Sequence, residues 1–221
     1  MRSMRIVILI SGRGSNMQAL LEAEYSSAAP VQFACVISNK ADAPGLQIAA
    51  AHGVPTEVLE HRPFPDRAGF DAALAARIDA YQPDIVVLAG FMRVLTEDFV
   101  RHYENRLINV HPALLPAFPG LDTHARAIAA GVKLHGCTVH FVTPEVDAGP
   151  IIAQAAVPVL ADDTPHTLAA RVLRQEHRLF PLVLGWLAQG RVHTRENGTI
   201  AVRPVTGEAA DADAVLMSSS T

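Results

Sequence analysis

The amino-acid sequence predicts an α/β protein built on a doubly wound, mostly parallel sheet, with antiparallel strands in its C-terminal part. Three observations carry that prediction. Residues 6–10 and 85–89 are continuously apolar, as in central strands covered on both faces. Strand-like and helix-like segments alternate as far as His111, the pattern of crossover units in a parallel sheet. Beyond it, Cys137, Val139 and Phe141 alternate with Thr138, His140 and Val142, and a short loop leads to a further strand at 151–159. Strands joined so briefly favour antiparallel pairing.

In chain order, the first strand stops at the turn Ser11-Gly12-Arg13-Gly14-Ser15-Asn16, followed by Met17, Leu20 and Leu21 at helical spacing. Ser15 and Gln18 have capping-box spacing, which starts the helix near Ser15. A strand, a glycine turn and a helix N-terminus offer free backbone N–H groups to a phosphate. Taken alone, the turn reads first as a plain tight turn. A dinucleotide fingerprint fits poorly, since Met17 stands where the third glycine belongs, and no Gly-Lys-Ser/Thr of a Walker loop follows.

Residues 31–37 form the second strand, 45–51 a helix closed by Gly53, and 54–59 a third strand. Phe70, Ala73, Leu74 and Ile78 make the apolar stripe of a helix over 70–81. After the strand at 85–89, the loop Gly90-Phe91-Met92-Arg93-Val94-Leu95 either accepts a flat aromatic ligand or is an ordinary connection. The stretch Leu107-Ile108-Asn109-Val110-His111 is a strand that Pro112 must end. Asn109 and His111 are two apart, so they share a side, where open α/β sheets place ligands. They supply an amide donor and a titratable imidazole, suited to stabilising an oxyanion and moving a proton. The alternative is a strand-end histidine that only bonds its loop. Residues 123–130 form a helix. Asp147, between proline and glycine punctuation, reads as an exposed turn residue on pattern alone.

Thr164-Pro165 opens a long helix with a cap residue and proline at its first position. Glu176 falls on its apolar face, among Val172, Leu173, Leu179 and Phe180. A charge there needs a partner, either a core ion pair or a ligand. Pro181 should kink or break the helix, and Gly190 should end it. Residues 200–205 can add an edge strand, and the polar stretch 207–221 is expected to be a disordered tail. With no repeat and no interior linker, residues 1–206 are expected to be one domain.

Half of the 221 residues are hydrophobic and 18% are charged, which describes a packed protein of 23.6 kDa. A formal charge of −4 speaks against a broad nucleic-acid surface. The apolar run after Arg2 and Arg5 is too short for a secretory signal, and no segment reaches the roughly 20 apolar residues of a membrane span. Cys35 and Cys137 match no metal or redox spacing and read as buried thiols in a reducing compartment, so a cytoplasmic protein is expected. His111, His124, His135 and His140 lack tight ligand spacing, and no metal site is expected.

Several of these stretches coincide with one family. The chain resembles the phosphoribosylglycinamide formyltransferases, folate-dependent enzymes of purine synthesis, over about residues 4–205. The resemblance is carried by residues 10–16, by Leu88-Ala89-Gly90-Phe91-Met92-Arg93, by Asn109-Val110-His111-Pro112-Ala113-Leu114-Leu115-Pro116, by His135-Gly136, and by Val139-His140-Phe141-Val142 leading to Asp147-Ala148-Gly149-Pro150. It implies a Rossmann-like formyltransferase fold. It implies transfer of a formyl group from 10-formyltetrahydrofolate, as co-substrate and without a metal, to the amine of glycinamide ribonucleotide. By the same resemblance Asn109, His111 and Asp147 would be catalytic, with Asp147 favouring the charged imidazole. Gly14, Ser15 and Asn16 would hold the ribonucleotide phosphate and Glu176 would touch the same substrate. Folate would bind at Arg67, Met92, Arg93, Val94, Leu95 and Asn109, and at Thr143, Pro144, Glu145, Val146 and Asp147. Arg13 departs from the family in the variable position of the phosphate loop and adds a cation there.

The partners implied are glycinamide ribonucleotide and folate, with a homodimer left open and neither nucleic acid nor membrane expected. Formyltetrahydrofolate hydrolases share the core, with water in place of the amine, but carry an N-terminal regulatory domain, whereas strand one is expected at the start of this sequence. Methionyl-tRNA formyltransferases add a C-terminal RNA-binding domain and a basic surface. A noncatalytic folate- or nucleotide-binding protein would have no need of Asn109, His111 and Asp147 together.

Overall fold

In the computed structural model, which describes residues 2–203, seven strands run in the order β3-β2-β1-β4-β5-β6-β7. They are β1 (Met4–Ile10), β2 (Val31–Ser38), β3 (Thr56–Val58), β4 (Ile85–Leu88), β5 (Leu107–His111), β6 (Leu134–Phe141) and β7 (Ile151–Pro158). The first five pair in parallel, and β6 pairs with β7 antiparallel. The described residues divide into two compact units, one up to residue 109 together with 142–144, the other 110–141 together with 145 onward.

In the first unit the apolar runs become inner strands. Residues 6–10 of β1 are fully buried and all four residues of β4 are buried. Helix α3 (Arg67–Ala80) lays Phe70, Leu74 and Ile78 on this sheet, against Val7, Leu9, Val86 and Leu107. Each such side chain contributes about 1.5–3 kcal/mol by leaving water. Asp66 caps α3, its carboxylate accepting from Gly69 N at 2.7 Å. Helices α1 (Ser15–Glu22) and α2 (Gly45–Ala51) pack together. Helix α4 (Glu97–His102), which the sequence reading gave no range, is capped by Thr96 and has Glu97 and Asp98 in its first turn.

In the second unit α5 (Thr123–Ala129) packs on α6 (Pro165–Ala188), and α6 on β6 and β7. A capping box of Thr164 and Thr167 starts α6, and Arg171 grips Asp163 through two hydrogen bonds just before it.

Four sequence expectations are corrected, and one sequence pattern is qualified. The Ser15/Gln18 capping box does not form. Gly14, left-handed at φ 74°, is the cap residue, so Ser15 is already helical. The third strand is only Thr56–Val58. In β6 every residue after Leu134 is buried, so the alternation of its sequence is not one of burial. Helix α6 runs unbroken through Pro181, because the buried Leu179, Phe180, Val183 and Leu184 hold it on the core while proline removes only one N–H. Finally, β9 (Ile200–Val202) joins β8 (Val192–Thr194) in a separate two-stranded sheet rather than edging the main one. The expected tail at 207–221 lies outside the described residues.

Candidate active site

In the second unit, His111 ends β5 and is 5% exposed. Its Nε2 lies 3.0 Å from Phe118 O and its Nδ1 3.3 Å from Asp147 Oδ2. Both ring nitrogens therefore face oxygen acceptors, which only a doubly protonated ring satisfies together. Asp147 is no exposed turn residue. Its side chain is 12% exposed, its backbone is left-handed at φ 53°, and Oδ2 also accepts from Gly120 N at 2.8 Å. Its Oδ1 stands 3.9 Å from His140 Nε2. His140 is buried, and its Nδ1 donates to Phe141 O at 2.9 Å. Burial pushes the pKa of His140 down against the raising effects of that hydrogen bond and of Asp147. The carboxylate thus lies between a histidine with two acceptors and a histidine whose charged form burial disfavours. The loop supplying Phe118 O has left-handed backbone at Phe118, Gly120 and Asp122.

The sequence reading gave His140 no role in the site beyond a possible metal ligand. Its place one residue from the end of a buried strand was the signal that could have linked it to Asp147. Two further histidines, His124 and His135, face each other at 3.2 Å. Burial first, then His124 and His111, pull His135 down to about 4, and burial lowers His124 as well. Among the described residues no group of three or more His, Cys, Asp or Glu could hold a metal ion.

The turn after β1 belongs to the first unit. Gly14 is left-handed, and a Cβ there would lie 2.9 Å from Gly45 Cα, so the turn and the start of α2 meet backbone to backbone. Gly45 N donates to Gly12 O at 3.1 Å, fixing the turn from the α2 side. Ser15 and Asn16 open α1, whose first N–H groups have no intrahelical acceptor.

The remaining sequence candidates are distributed as follows. Asn109 lies in β5, half-buried. Arg67 is the exposed first residue of α3. Arg93 lies over the Phe70 ring at 4.7 Å, and its buried Nε has no hydrogen-bond partner among the described residues. Met92 and Val94 are exposed, as is Val146 in the second unit, at 70%, 58% and 56%. Leu95 and Thr143 are half-buried, and Pro144 and Glu145 are exposed. Glu176 is buried in α6, and its charge adds to the burial that raises the Cys137 thiol. The structure brings His111 to Asp147 and keeps Gly14, Ser15 and Asn16 in one turn. The sequence reading did not single out Phe118 O and Gly120 N, because a backbone group carries no sequence signature.

Residues 4–184 match the family model described as formyl transferase. The chain is 50% identical over 194 residues to a phosphoribosylglycinamide formyltransferase of Escherichia coli (strain K12), covering 88% of this chain and 92% of that protein. It is 46% identical over 196 residues to the trifunctional purine biosynthetic protein adenosine-3 of Homo sapiens, covering 89% of this chain but 19% of that longer protein. The crystal structure of glycinamide ribonucleotide transformylase 1 from Symbiobacterium toebii superposes with a TM-score of 0.86 at 46% identity, covering 90% of this chain and 94% of that one.

Proposed function

The chain belongs to the formyl transferase family, and from that premise we propose that it moves a formyl group from 10-formyltetrahydrofolate to the amine of glycinamide ribonucleotide in purine synthesis. The neutral amine attacks the formyl carbon, a C–N bond forms, and the carbonyl oxygen takes the negative charge. Collapse of the tetrahedral species breaks the bond to N10 of the folate. The proton lost by the amine ends on N10, leaving tetrahydrofolate and the formylated ribonucleotide.

The observation that carries this reading is His111 with an acceptor at each ring nitrogen, one of them Asp147. In the proposed step the formyl oxygen takes the place of Phe118 O as the acceptor of Nε2–H, while Asp147 keeps the ring charged and oriented. Asn109 adds a second donor to the oxyanion, and losing one such donor typically costs about 10²–10³ in rate. Aligning the two substrates supplies much of the remainder.

Gly14, Ser15 and Asn16 are assigned to the phosphate, supported by their place at the start of α1, where backbone N–H groups have no acceptor within the helix, and Glu176 to the same substrate. Arg67 and Arg93, neither with a carboxylate partner among the described residues, suit the carboxylates of the folate glutamate. The exposed Met92, Val94 and Val146 suit its flat rings, with Leu95, Thr143, Pro144 and Glu145 contributing backbone groups. The family model runs through both units, in keeping with a single catalytic domain. Both cysteines are free and buried, and no described helix is long and apolar enough to cross a membrane, in keeping with cytoplasmic work.

The test follows loss of the formyl group from 10-formyltetrahydrofolate with and without glycinamide ribonucleotide. Turnover only with the ribonucleotide, lost in His111→Ala, is the expected result. Equal release without it would overturn transfer in favour of hydrolysis.

A further inference from the structure

We infer that Ser11 is a positioning residue that ties the folate-binding loop to the phosphate turn, so that the two substrates bind with coupled affinity. The inference rests on the formyl-transfer reading and deepens it. Ser11 follows β1 directly, ahead of the phosphate residues Gly14, Ser15 and Asn16, and is 4% exposed. Its hydroxyl donates to Asn39 Oδ1 at 2.6 Å and accepts from Met92 N at 2.8 Å. One side chain thus joins the end of β1, the segment after β2, and Met92 of the loop assigned to folate.

The direction of this chain is fixed by what each group can donate. A serine hydroxyl has one proton and two lone pairs, and a backbone N–H can only donate. If the Asn39 amide were turned round, its NH₂ and Met92 N–H would both donate to Ser11 Oγ, and the hydroxyl proton would lose its acceptor. The satisfied order is Met92 N–H to Ser11 Oγ–H to Asn39 Oδ1. Asn39 is itself 5% exposed, and the turn around it is closed by Ser38, whose hydroxyl donates to Lys40 O and accepts from Lys40 N. The acceptor at the end of the chain is therefore held in place.

The loop has two other anchors, both on α3. Thr96 N donates to Asp71 Oδ2 at 2.6 Å, and Arg93 stacks on Phe70. Those anchors hold the loop to the helix behind it. Ser11 alone among these three contacts reaches the strand that carries the phosphate turn. A ligand that orders either segment restrains the other through this hydroxyl, and less ordering is left for the second ligand to do. Ser11 touches no reacting atom in this arrangement.

Calorimetry tests it by titrating glycinamide ribonucleotide into the full chain, alone and with saturating tetrahydrofolate. The wild type and Ser11→Thr, which keeps a hydroxyl, should bind the ribonucleotide about fivefold tighter with the folate present, the low end of common coupling. Ser11→Ala and Asn39→Ala should bind each ligand more weakly and show a ratio near one, with kcat at saturation little changed and KM raised for both substrates. Where Ser11→Ala does not fold, Asn39→Ala breaks the same chain from its other end. A residue that only braced the fold would lower Tm and leave the coupling ratio intact, which overturns the inference. So would a wild type that binds both ligands independently. A wild type that binds neither ligand would instead bring down the formyl-transfer reading, and this inference with it.

Discussion

At the scale of single residues, Asp147 sets the chemistry of its neighbourhood through charge and through one backbone contact. Asp147→Asn preserves shape and leaves an oxygen for Gly120 N, but withdraws the charge that faces His111 Nδ1. Expected is a fall in kcat of at least roughly tenfold, equivalent to about 1.4 kcal/mol in the barrier, with a small change in Tm. Asp147→Ala should lose the same activity and, in addition, about 1–3 kcal/mol of stability, because Gly120 N–H is left without its acceptor. Comparing kcat and denaturant midpoints of the two variants separates the roles. Similar midpoints would show that the Gly120 contact contributes little. The turn pattern around Asp147 suggested an exposed residue, and its burial beside two histidines overturns that reading.

Among elements, the start of α1 is where the phosphate assignment can be tested without damaging the fold. Ser15 is the first helical residue and makes no capping bond, so Ser15→Ala removes a hydroxyl and leaves the helix intact. The ribonucleotide KM should rise severalfold while the folate KM holds. An equal rise in both, in a folded variant, would count against a phosphate at this turn. The elements legible in the sequence were those whose signal is local. Apolar runs marked β1 and β4, Pro112 marked the end of β5, and Thr164-Pro165 marked the start of α6. What escaped depends on distant partners. Helix α4 is six residues long, too short for a periodic stripe. Helix α6 outlasts Pro181 because its buried face is held by packing, and β9 finds β8 rather than the main sheet. The candidate site was legible as residue types, Asn109, His111 and Asp147, but not as geometry. The Phe118 carbonyl, the Gly120 amide and the Ser11 relay appear only once the chain has folded.

For the molecule as a whole, buried neutral histidines make stability depend on acid. His135 is pushed down to about 4 from 6.5, with burial the largest cause, and His124 and His140 are lowered too. Above about pH 6.5 these groups are neutral in both folded and unfolded chains and contribute nothing to the pH slope. As pH falls below that value, the unfolded chain takes up protons that the folded one refuses, so stability drops until the folded pKa is reached. Tm should therefore decline between about pH 6.5 and 4. His135→Asn should flatten that decline. An unchanged slope would show that His135 is not a source. A different consequence follows from the backbone contact between Gly14 and Gly45. A Cβ at Gly45 would meet Ile10 Cδ1 at 2.7 Å and Gly12 O at 3.1 Å, just as one at Gly14 meets Gly45 itself. The two positions, 31 residues apart in sequence, therefore share one small volume. In directed evolution they behave as a single locus: a library that randomises the turn alone will return glycine at 14, and diversity there becomes reachable only after α2 has first been moved away.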